Sequence, residues 1–348
     1  VVLLPRLASP AVTSVAAKLV EALSVPYWIG DRELRTTPSI GISLCPQDAQ
    51  DVESMIKYAD TAMYAAKAKG GARFQYFARE MNQAATERLH IEFRLREALD
   101  GGQFVLHYQP KIDMTGRLTG LEALLRWQLE GEAPLGPAQF IAIAEESGLI
   151  DEIGDWVIVT VCRQLRAWID QGLDAPCVAI NLSTRQLRQP DLAVKVGRML
   201  VESGLSPDML EFEVTETAAM ENPQTAARRL DELGAMGLTL SIDDFGTGYS
   251  SLSHLRSLPL DALKIDRSFV RDIASDANDL AIARGTIALA HSLGLRVVAE
   301  GVENMAQWQL LRGLGCDEVQ GYLIACPAPA EELAGILALG SIQLAARP

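Results

Sequence analysis

The sequence has few of the residues that build zinc sites, disulfide frameworks or membrane spans. Only four histidines are present, and none falls at the end of a predicted strand, which argues against a histidine-rich zinc site. The five cysteines form no CxxC pair, and their odd number indicates reduced thiols. No apolar run reaches the roughly 18 residues of a membrane helix. We therefore expect a cytoplasmic protein with no membrane segment in this chain, to which sensory or membrane domains could be joined upstream.

Positive charge is also scarce. Lysine and arginine number 31 against 45 aspartates and glutamates, which gives a net charge of -14. A negative field of this kind repels the phosphates of a nucleic-acid polymer, so we expect no such partner. A small anionic substrate would need local compensation, which bound cations commonly supply. The hydrophobic fraction of 49% in 348 residues is enough for a sizeable core.

The pattern of apolar residues and turn signals divides the chain into three parts. Residues 1–80 are expected to form a small α/β unit, and residues 81–102 a linker helix that ends at Gly101-Gly102. In the first part the expected elements are helices over 12–23 and 52–69, a turn near Gly30, and strands over 35–44 and 73–77.

From residue 103 to 348, strands and helices alternate. The expected strands are 104–114, 118–127, 178–183, 210–215, 239–244, 262–265, 297–300 and 318–322. The expected helices are 137–147, 154–171, 192–203, 223–236, 276–293, 305–314 and 329–339. This order and length predict a TIM-type (β/α)8 barrel of the α/β class. A doubly wound sheet is the alternative, although its glycine-rich fingerprint is missing around Gly246.

Polar residues recur where the predicted strands end. These residues are Glu122, Asn181, Glu213, Glu216, Asp243, Asp244, Lys264, Glu300 and Gln320. One such residue alone is usually solvated or caps a turn. Their recurrence at the same end of successive strands is typical of a barrel active site, which draws its residues from several strand ends.

A group of carboxylates at one end of a barrel needs compensation, because like charges at short range oppose joint ionisation. Carboxylate and amide oxygens are the ligands that Mg²⁺ or Mn²⁺ prefers. The adjacent Asp243 and Asp244 can bridge two ions about 3.5–4 Å apart, a geometry used for displacement at phosphorus. The sequence therefore predicts a two-metal site.

The motifs around these positions resemble the EAL-domain family of c-di-GMP phosphodiesterases. The family motifs occur here as EALLR at 122–126, NLS at 181–183, EVTE at 213–216, DDFGTGYSSL at 243–252, LKID at 263–266, AEGVE at 299–303 and QGY at 320–322. The resemblance covers roughly residues 85–345, and the domain is placed at 103–348. It implies metal-dependent hydrolysis of c-di-GMP to linear pGpG, with Mg²⁺ or Mn²⁺ as two ions per site and Ca²⁺ as an inhibitor.

The resemblance also assigns roles to single residues. Lys264 would position or deprotonate the attacking water, and the nearby cations would lower its pKa; Glu122 and Glu300 are the other catalytic candidates. The implied metal ligands are Glu122, Asn181, Glu213, Asp243, Asp244 and Glu300. The implied substrate contacts are Gln109, Leu125, Arg126, Asp266 and Gln320.

Two further acids, Glu216 and Glu303, are expected to support the metal ligands from outside the site. Glu216 in particular would anchor the loop 244–251, which in the family couples dimerisation to metal binding. The resemblance thus implies a homodimer formed through the EAL domain.

Residues 1–80 resemble the C-terminal half of a GGDEF (diguanylate cyclase) domain. The similar segments are SIGI at 39–42, ADTAMY at 59–64 and AK at 66–67 before Gly70-Gly71. The GGDEF motif itself is absent, so we expect no cyclase activity from this chain.

Two other classes of function stay open at the level of sequence. The first is an EAL-fold receptor that binds c-di-GMP with little or no catalysis, which would show tight binding without turnover. The second is an interaction barrel whose acids at the strand ends are incidental, in which case metal ions would not change its thermal stability.

Overall fold

A computed structural model describes residues 1–5, 9–30, 32–34, 36–129, 131, 136–248, 252–342 and 344. The chain divides into two compact units, Val1–Arg94 and Leu95–Pro348. Helix α3 (Arg79–Asp100) contains the division between them and lies where the sequence predicts a linker helix. Among the described residues, no helix combines the length and apolarity that a membrane crossing requires.

The first unit is a small α/β arrangement, as predicted. Its elements are α1 (Ser9–Leu23), β1 (Tyr27–Ile29), β2 (Arg32–Leu34), β3 (Ser39–Ile42), α2 (Val52–Ala68) and β4 (Arg73–Tyr76). Strands β1 and β2 form an antiparallel hairpin at Gly30, whose φ of 61° suits a glycine. Strands β3 and β4 pair in parallel. The predicted strand over 35–44 is shorter in the structure, and Arg35 lies outside the described residues.

The core of this unit joins α1 to the paired strands. Val12, Ala16 and Ile42 are buried in it. The partly buried residues packed against them are Ile40, Leu44, Phe74 and Tyr76. The helical period of α1 and the alternation of the strands bring these side chains to one side, which explains why the pattern of apolar residues predicted the elements.

The second unit contains eight strands of three to ten residues, one strand of two residues and surrounding helices. The strands are β5 (Phe104–Asp113), β6 (Leu118–Trp127), β7 (Cys177–Leu182), β8 (Leu210–Thr215), β9 (Thr239–Phe245), β10 (Ala262–Ile265), β11 (Arg296–Ala299), β12 (Glu318–Gln320) and β13 (Ala328–Pro329). The helices are α4 (Pro137–Ser147), α5 (Ile150–Asp170), α6 (Thr184–Leu187), α7 (Leu192–Ser203), α8 (Glu216–Glu221), α9 (Pro223–Gly234), α10 (Leu252–Leu255), α11 (Arg267–Arg271), α12 (Ala277–Ser292), α13 (Met305–Leu314) and α14 (Ala334–Leu339), with 3₁₀ turns at Pro207–Met209 and Ala330–Leu333.

The strands β5 to β12 form a closed barrel. They are paired in chain order, and β12 returns to pair with β5, so the sheet has no free edge at this point. The predicted TIM-type barrel is therefore confirmed, and the doubly wound alternative is wrong because such a sheet stays open. Strands β6 to β12 run parallel to one another, whereas β5 is antiparallel to both of its neighbours.

The reversed first strand has a local cause. Only four residues separate β5 from β6, and a connection this short allows only antiparallel pairing. Asp113 closes the turn by accepting hydrogen bonds from the Thr115 and Arg117 backbone N–H groups at 2.8 and 3.0 Å. Strands β6 to β12 are connected to one another through helices, as parallel strands require.

Candidate active site

The site lies where the barrel strands end and alternate side chains turn into the interior. Glu122 is on β6, Asn181 on β7, Glu213 on β8 and Asp243 on β9, and the register pairs Asn181 directly with Glu213. Glu300 follows β11 immediately. Side chains alternate across a regular strand, and Asp244 joins its neighbour Asp243 at the site because its φ of 54° breaks that alternation. The structure thus brings the predicted carboxylates together.

Lys264, on β10, stands at the centre of these carboxylates and is fully buried. Its Nζ lies 2.5 Å from Glu213 Oε2 and 2.5 Å from Glu300 Oε1. Two longer contacts reach Asp243 Oδ2 at 3.5 Å and Glu122 Oε2 at 3.4 Å. One ammonium is therefore shared among four carboxylates.

Glu122 is the best supported of the four acids. Its Oε1 accepts a hydrogen bond from Asn181 Nδ2 at 2.8 Å, and its Oε2 accepts one from Gln320 Nε2 at 2.6 Å. Burial alone would raise the pKa of Glu122, but the charge of Lys264 and these two hydrogen bonds lower it below its ordinary value. Glu122 is thus held ionised inside the barrel.

Three other acids, Glu213, Glu300 and Asp244, have raised pKa values because the nearby positive charge does not fully offset their burial and mutual repulsion. Burial, reinforced by the charge of Glu122, raises the pKa of Glu213 well above its usual range despite the contact with Lys264. Burial raises the pKa of Glu300 to about 8, and burial with the charge of Asp243 raises that of Asp244 to about 6. A single lysine cannot neutralise this many carboxylates, so the arrangement favours additional positive charge.

The pKa of Lys264 shifts in the opposite direction to that of an ordinary buried lysine. Burial by itself would lower its pKa, but the charges of the surrounding carboxylates outweigh burial and raise the pKa well above its ordinary value. The lowered pKa expected from the sequence depends on two nearby cations and stays a prediction.

The donors fit divalent cations that prefer oxygen. Asp243, Asp244 and Glu300 each offer a carboxylate oxygen, and these three atoms lie within 4.8 Å of one another. Asp244 has a φ of 54°, an unusual conformation for a residue other than glycine, and strain of this kind is frequent at functional sites. Among the described residues, buried oxygens of Glu213 and Gln320 have no hydrogen-bond partner. Free acceptors beside a carboxylate cluster suit Mg²⁺ or Mn²⁺.

The predicted substrate contacts fall into two groups. Gln109 and Gln320 are buried and joined to the site, because Gln320 Nε2 donates to Gln109 Oε1 at 3.0 Å. Leu125 and Arg126 are partly buried, and Arg126 Nη1 donates to the Leu125 carbonyl oxygen at 2.9 Å. Asp266 caps α11 by accepting from the Ser268 backbone N–H at 3.0 Å. Asp266 also interacts with Asp244, whose pKa it helps to raise, and its role as a substrate contact stays a prediction.

Glu216 and Glu303, the two acids expected to support the metal ligands, differ in burial. Glu216 is buried, and its Oε2 accepts a hydrogen bond from the Gly246 backbone N–H at 2.8 Å, which attaches the segment after β9. Residues 249–251 of the predicted loop lie outside the described residues. Glu303 is exposed, its backbone N–H donates to Gln307 Oε1 at 2.7 Å, and its charge acts on Arg271. Its expected role in supporting the metal ligands stays a prediction.

Sequence reasoning missed a charged pair beneath the site. Lys111 and Glu211 are buried in the barrel interior, and the Lys111 Nζ lies 2.7 Å from Glu211 Oε2. A signal was present, because each residue is two positions from a predicted site residue on the same strand, Gln109 and Glu213 respectively. A period of two places such residues on the same face.

Comparison with known proteins agrees with this arrangement. A model of the EAL domain matches residues 92–327, and a model of the GGDEF domain of diguanylate cyclases matches residues 1–73. The chain is 44% identical over 321 residues to the bifunctional diguanylate cyclase/cyclic di-GMP phosphodiesterase MucR of Pseudomonas aeruginosa, covering 92% of this chain and 47% of that protein. It is 40% identical over 329 residues to the cyclic di-GMP phosphodiesterase PdeR of Escherichia coli K12, covering 94% and 50%.

This chain is similar to solved structures in its fold as well as in its sequence. The structure described as the PaMucR phosphodiesterase in complex with c-di-GMP has a TM-score of 0.68 and 45% identity, and covers 70% of this chain and 99% of that one. The chain spans about half the length of the curated relatives it matches. Because the EAL model covers more than half of the chain, and the barrel and its acidic strand ends agree with it, this chain belongs to the EAL domain family.

Proposed function

We propose that this chain is a divalent-metal-dependent phosphodiesterase that hydrolyses c-di-GMP to linear pGpG. The observation that carries the proposal is the convergence of four carboxylates on Lys264, two of which, Asp243 and Glu300, also form a cluster with Asp244. Relatives named as cyclic di-GMP phosphodiesterases support the choice of substrate. The resident ions would be Mg²⁺ or Mn²⁺, two per site.

The metal ligands would be Glu122, Asn181, Glu213, Asp243, Asp244 and Glu300. When bound, the ions would lower the pKa of a water molecule and offset charge on the phosphodiester. In the hydrolysis, a water oxygen would form a bond to phosphorus and lose one proton, while the bond from phosphorus to a ribose 3′ oxygen breaks and that oxygen takes up one proton. The ring thereby opens to a linear dinucleotide.

The protein's own groups hold the substrate and move the proton. Lys264 Nζ lies within 3.5 Å of four of the acids, Glu122, Glu213, Asp243 and Glu300, so it can hold or pass a proton at the point of attack. Arg126 presents a planar guanidinium that suits phosphate oxygens, and Gln109 can donate an amide hydrogen bond. Buried side chains around them keep competing water out.

The decisive experiment is a hydrolysis assay. The protein is incubated with c-di-GMP and Mg²⁺ or Mn²⁺, with and without EDTA, and the products are separated by liquid chromatography and mass spectrometry. We expect pGpG only in the presence of the metal, and reduced turnover in Ca²⁺, which prefers longer bonds and more ligands. Tight binding without product would replace the proposal with a receptor function, and full activity in Ca²⁺ would contradict the proposed metal geometry.

A further inference from the structure

A buried lysine lies directly below the acidic cluster and is not used by the proposed chemistry. Lys111 is on β5, two residues beyond Gln109, and is 2% exposed. Glu211 is on β8, two residues before Glu213, and is 4% exposed. The alternation of strands therefore places both residues in the interior layer next to the site. Barrel interiors are filled mainly with branched apolar side chains, so an ion pair here is unusual.

Lys111 contacts two carboxylates, and one of them, Glu213, belongs to the acidic site. Its Nζ lies 2.7 Å from Glu211 Oε2 and 3.6 Å from Glu213 Oε1. The other oxygen of Glu213, Oε2, faces Lys264 at 2.5 Å. The two lysines thus face opposite oxygens of one carboxylate, and Lys111 does so at an ion-pair distance without a hydrogen bond, which leaves Oε1 an acceptor free for a metal ion.

The fold leaves space for this lysine. A Cβ added to Gly120 on β6 would lie 3.1 Å from Lys111 Cε, so a larger residue there would press on the lysine chain. An isolated buried ion pair is a poor way to gain stability, because apolar side chains of similar volume usually serve as well. The pair is better explained by what it does to Glu213.

We propose that Lys111, held in place by Glu211, is a positioning residue that fixes the Glu213 carboxylate for metal binding. The inference rests on the proposed function, in which Glu213 is a metal ligand. Ligating carboxylates are commonly fixed by a further ring of contacts, and loss of such a contact typically costs about 10–100-fold in metal affinity or activity. Lys111 supplies this contact through its positive charge, and water cannot take its place because the side chain is buried.

The test compares the full chain with the double variant K111M/E211Q. This variant removes one positive and one negative charge, so the net charge of the interior is unchanged, while the Lys111–Glu211 ion pair and the contact of Lys111 with Glu213 are both lost. Mn²⁺ affinity is measured from the spin-resonance signal of free Mn²⁺, and folding is checked by circular dichroism. We expect Mn²⁺ affinity to fall about 10-fold or more. Excess Mn²⁺ should restore most of kcat, with the KM for c-di-GMP unchanged.

The matched control is R296M/E318Q, which removes another ion pair of the barrel, one in which Arg296 Nη1 contacts Glu318 Oε1 and not Glu213. We expect its Mn²⁺ affinity to remain that of the original chain. If K111M/E211Q does not fold, K111M/E211M provides an apolar replacement for the same measurement. A folded double variant with unchanged Mn²⁺ affinity would overturn the inference, while hydrolysis by the original chain would leave the proposed function standing. Absence of Mn²⁺ binding by the original chain would instead overturn both.

Discussion

At the scale of single residues, Glu122 is the acid whose chemistry can be changed with least disturbance. Its carboxylate has defined partners on both oxygens, Asn181 and Gln320. Glu122→Gln keeps the shape but removes the charge, so we expect kcat to fall on the order of 10²-fold with the fold retained. The exposed Glu202→Gln on α7 is the control and should hydrolyse c-di-GMP at nearly the original rate. Near-normal turnover by Glu122→Gln would remove this residue from the proposed site.

Lys264 compensates charge in the metal-free protein, and its replacement should expose that role. In Lys264→Met the four surrounding carboxylates lose their shared cation, so we expect a lower melting temperature without metal. Saturating Mn²⁺ should raise the melting temperature more in this variant than in the original chain, since bound cations then replace the missing charge. Equal metal-induced shifts in scanning calorimetry would contradict this account.

Glu300 makes the stability of the metal-free protein depend on pH. Its pKa of about 8 in the folded protein is above the ordinary value of 4.5. The folded state therefore binds the extra proton between these values, and the Glu300 contribution to stability is lost as pH rises through this window. We expect the EDTA-treated protein to melt lower at pH 8.5 than at pH 6, with a smaller difference in Glu300→Gln. An unchanged difference in that variant would contradict the assignment.

At the scale of elements, the segment after β9 is fixed to α8 through Glu216. A Cβ added to Gly248 would lie 2.8 Å from Glu216 Oε1, so Gly248→Ala must displace this carboxylate. We expect about tenfold lower kcat with a folded barrel, because Asp243 and Asp244 directly precede the displaced segment. Gly285→Ala on α12 is the control, since its added Cβ meets nothing within 4 Å. Equal activity of the two variants in the hydrolysis assay would show that this attachment is dispensable.

The elements themselves were largely predictable because their signals are local. Strands such as Leu118–Trp127 and Leu210–Thr215 and the helix Met305–Leu314 have the predicted bounds. Their apolar alternation or helical period is contained in a short stretch of chain. The short strand Ala328–Pro329 was not predicted as a strand, since its pairing with β5 is a long-range contact.

At the scale of the whole molecule, the chain combines a partial GGDEF match with an EAL barrel. Because residues 1–80 lack the GGDEF motif, we expect no c-di-GMP when the protein is incubated with GTP and Mg²⁺. Chromatography of the nucleotides checks this outcome, and formation of c-di-GMP would contradict it. The homodimer stays a prediction, to be checked by light scattering of the purified chain.

The sequence alone determined the order of the main strands and helices and the oxygen-rich character of the site, and it favoured a barrel over a doubly wound sheet, because each depends on short periodic patterns and on residue types at strand ends. Only the tertiary structure decided that the sheet closes, that β5 is reversed, that Gln320 meets Glu122 across 198 residues, and that Lys111 lies beneath Glu213. The physical reason is closure of the barrel. Residues far apart in the chain become neighbours only when the last strand pairs with the first. A local sequence pattern therefore cannot predict which of these side chains form hydrogen bonds or ion pairs.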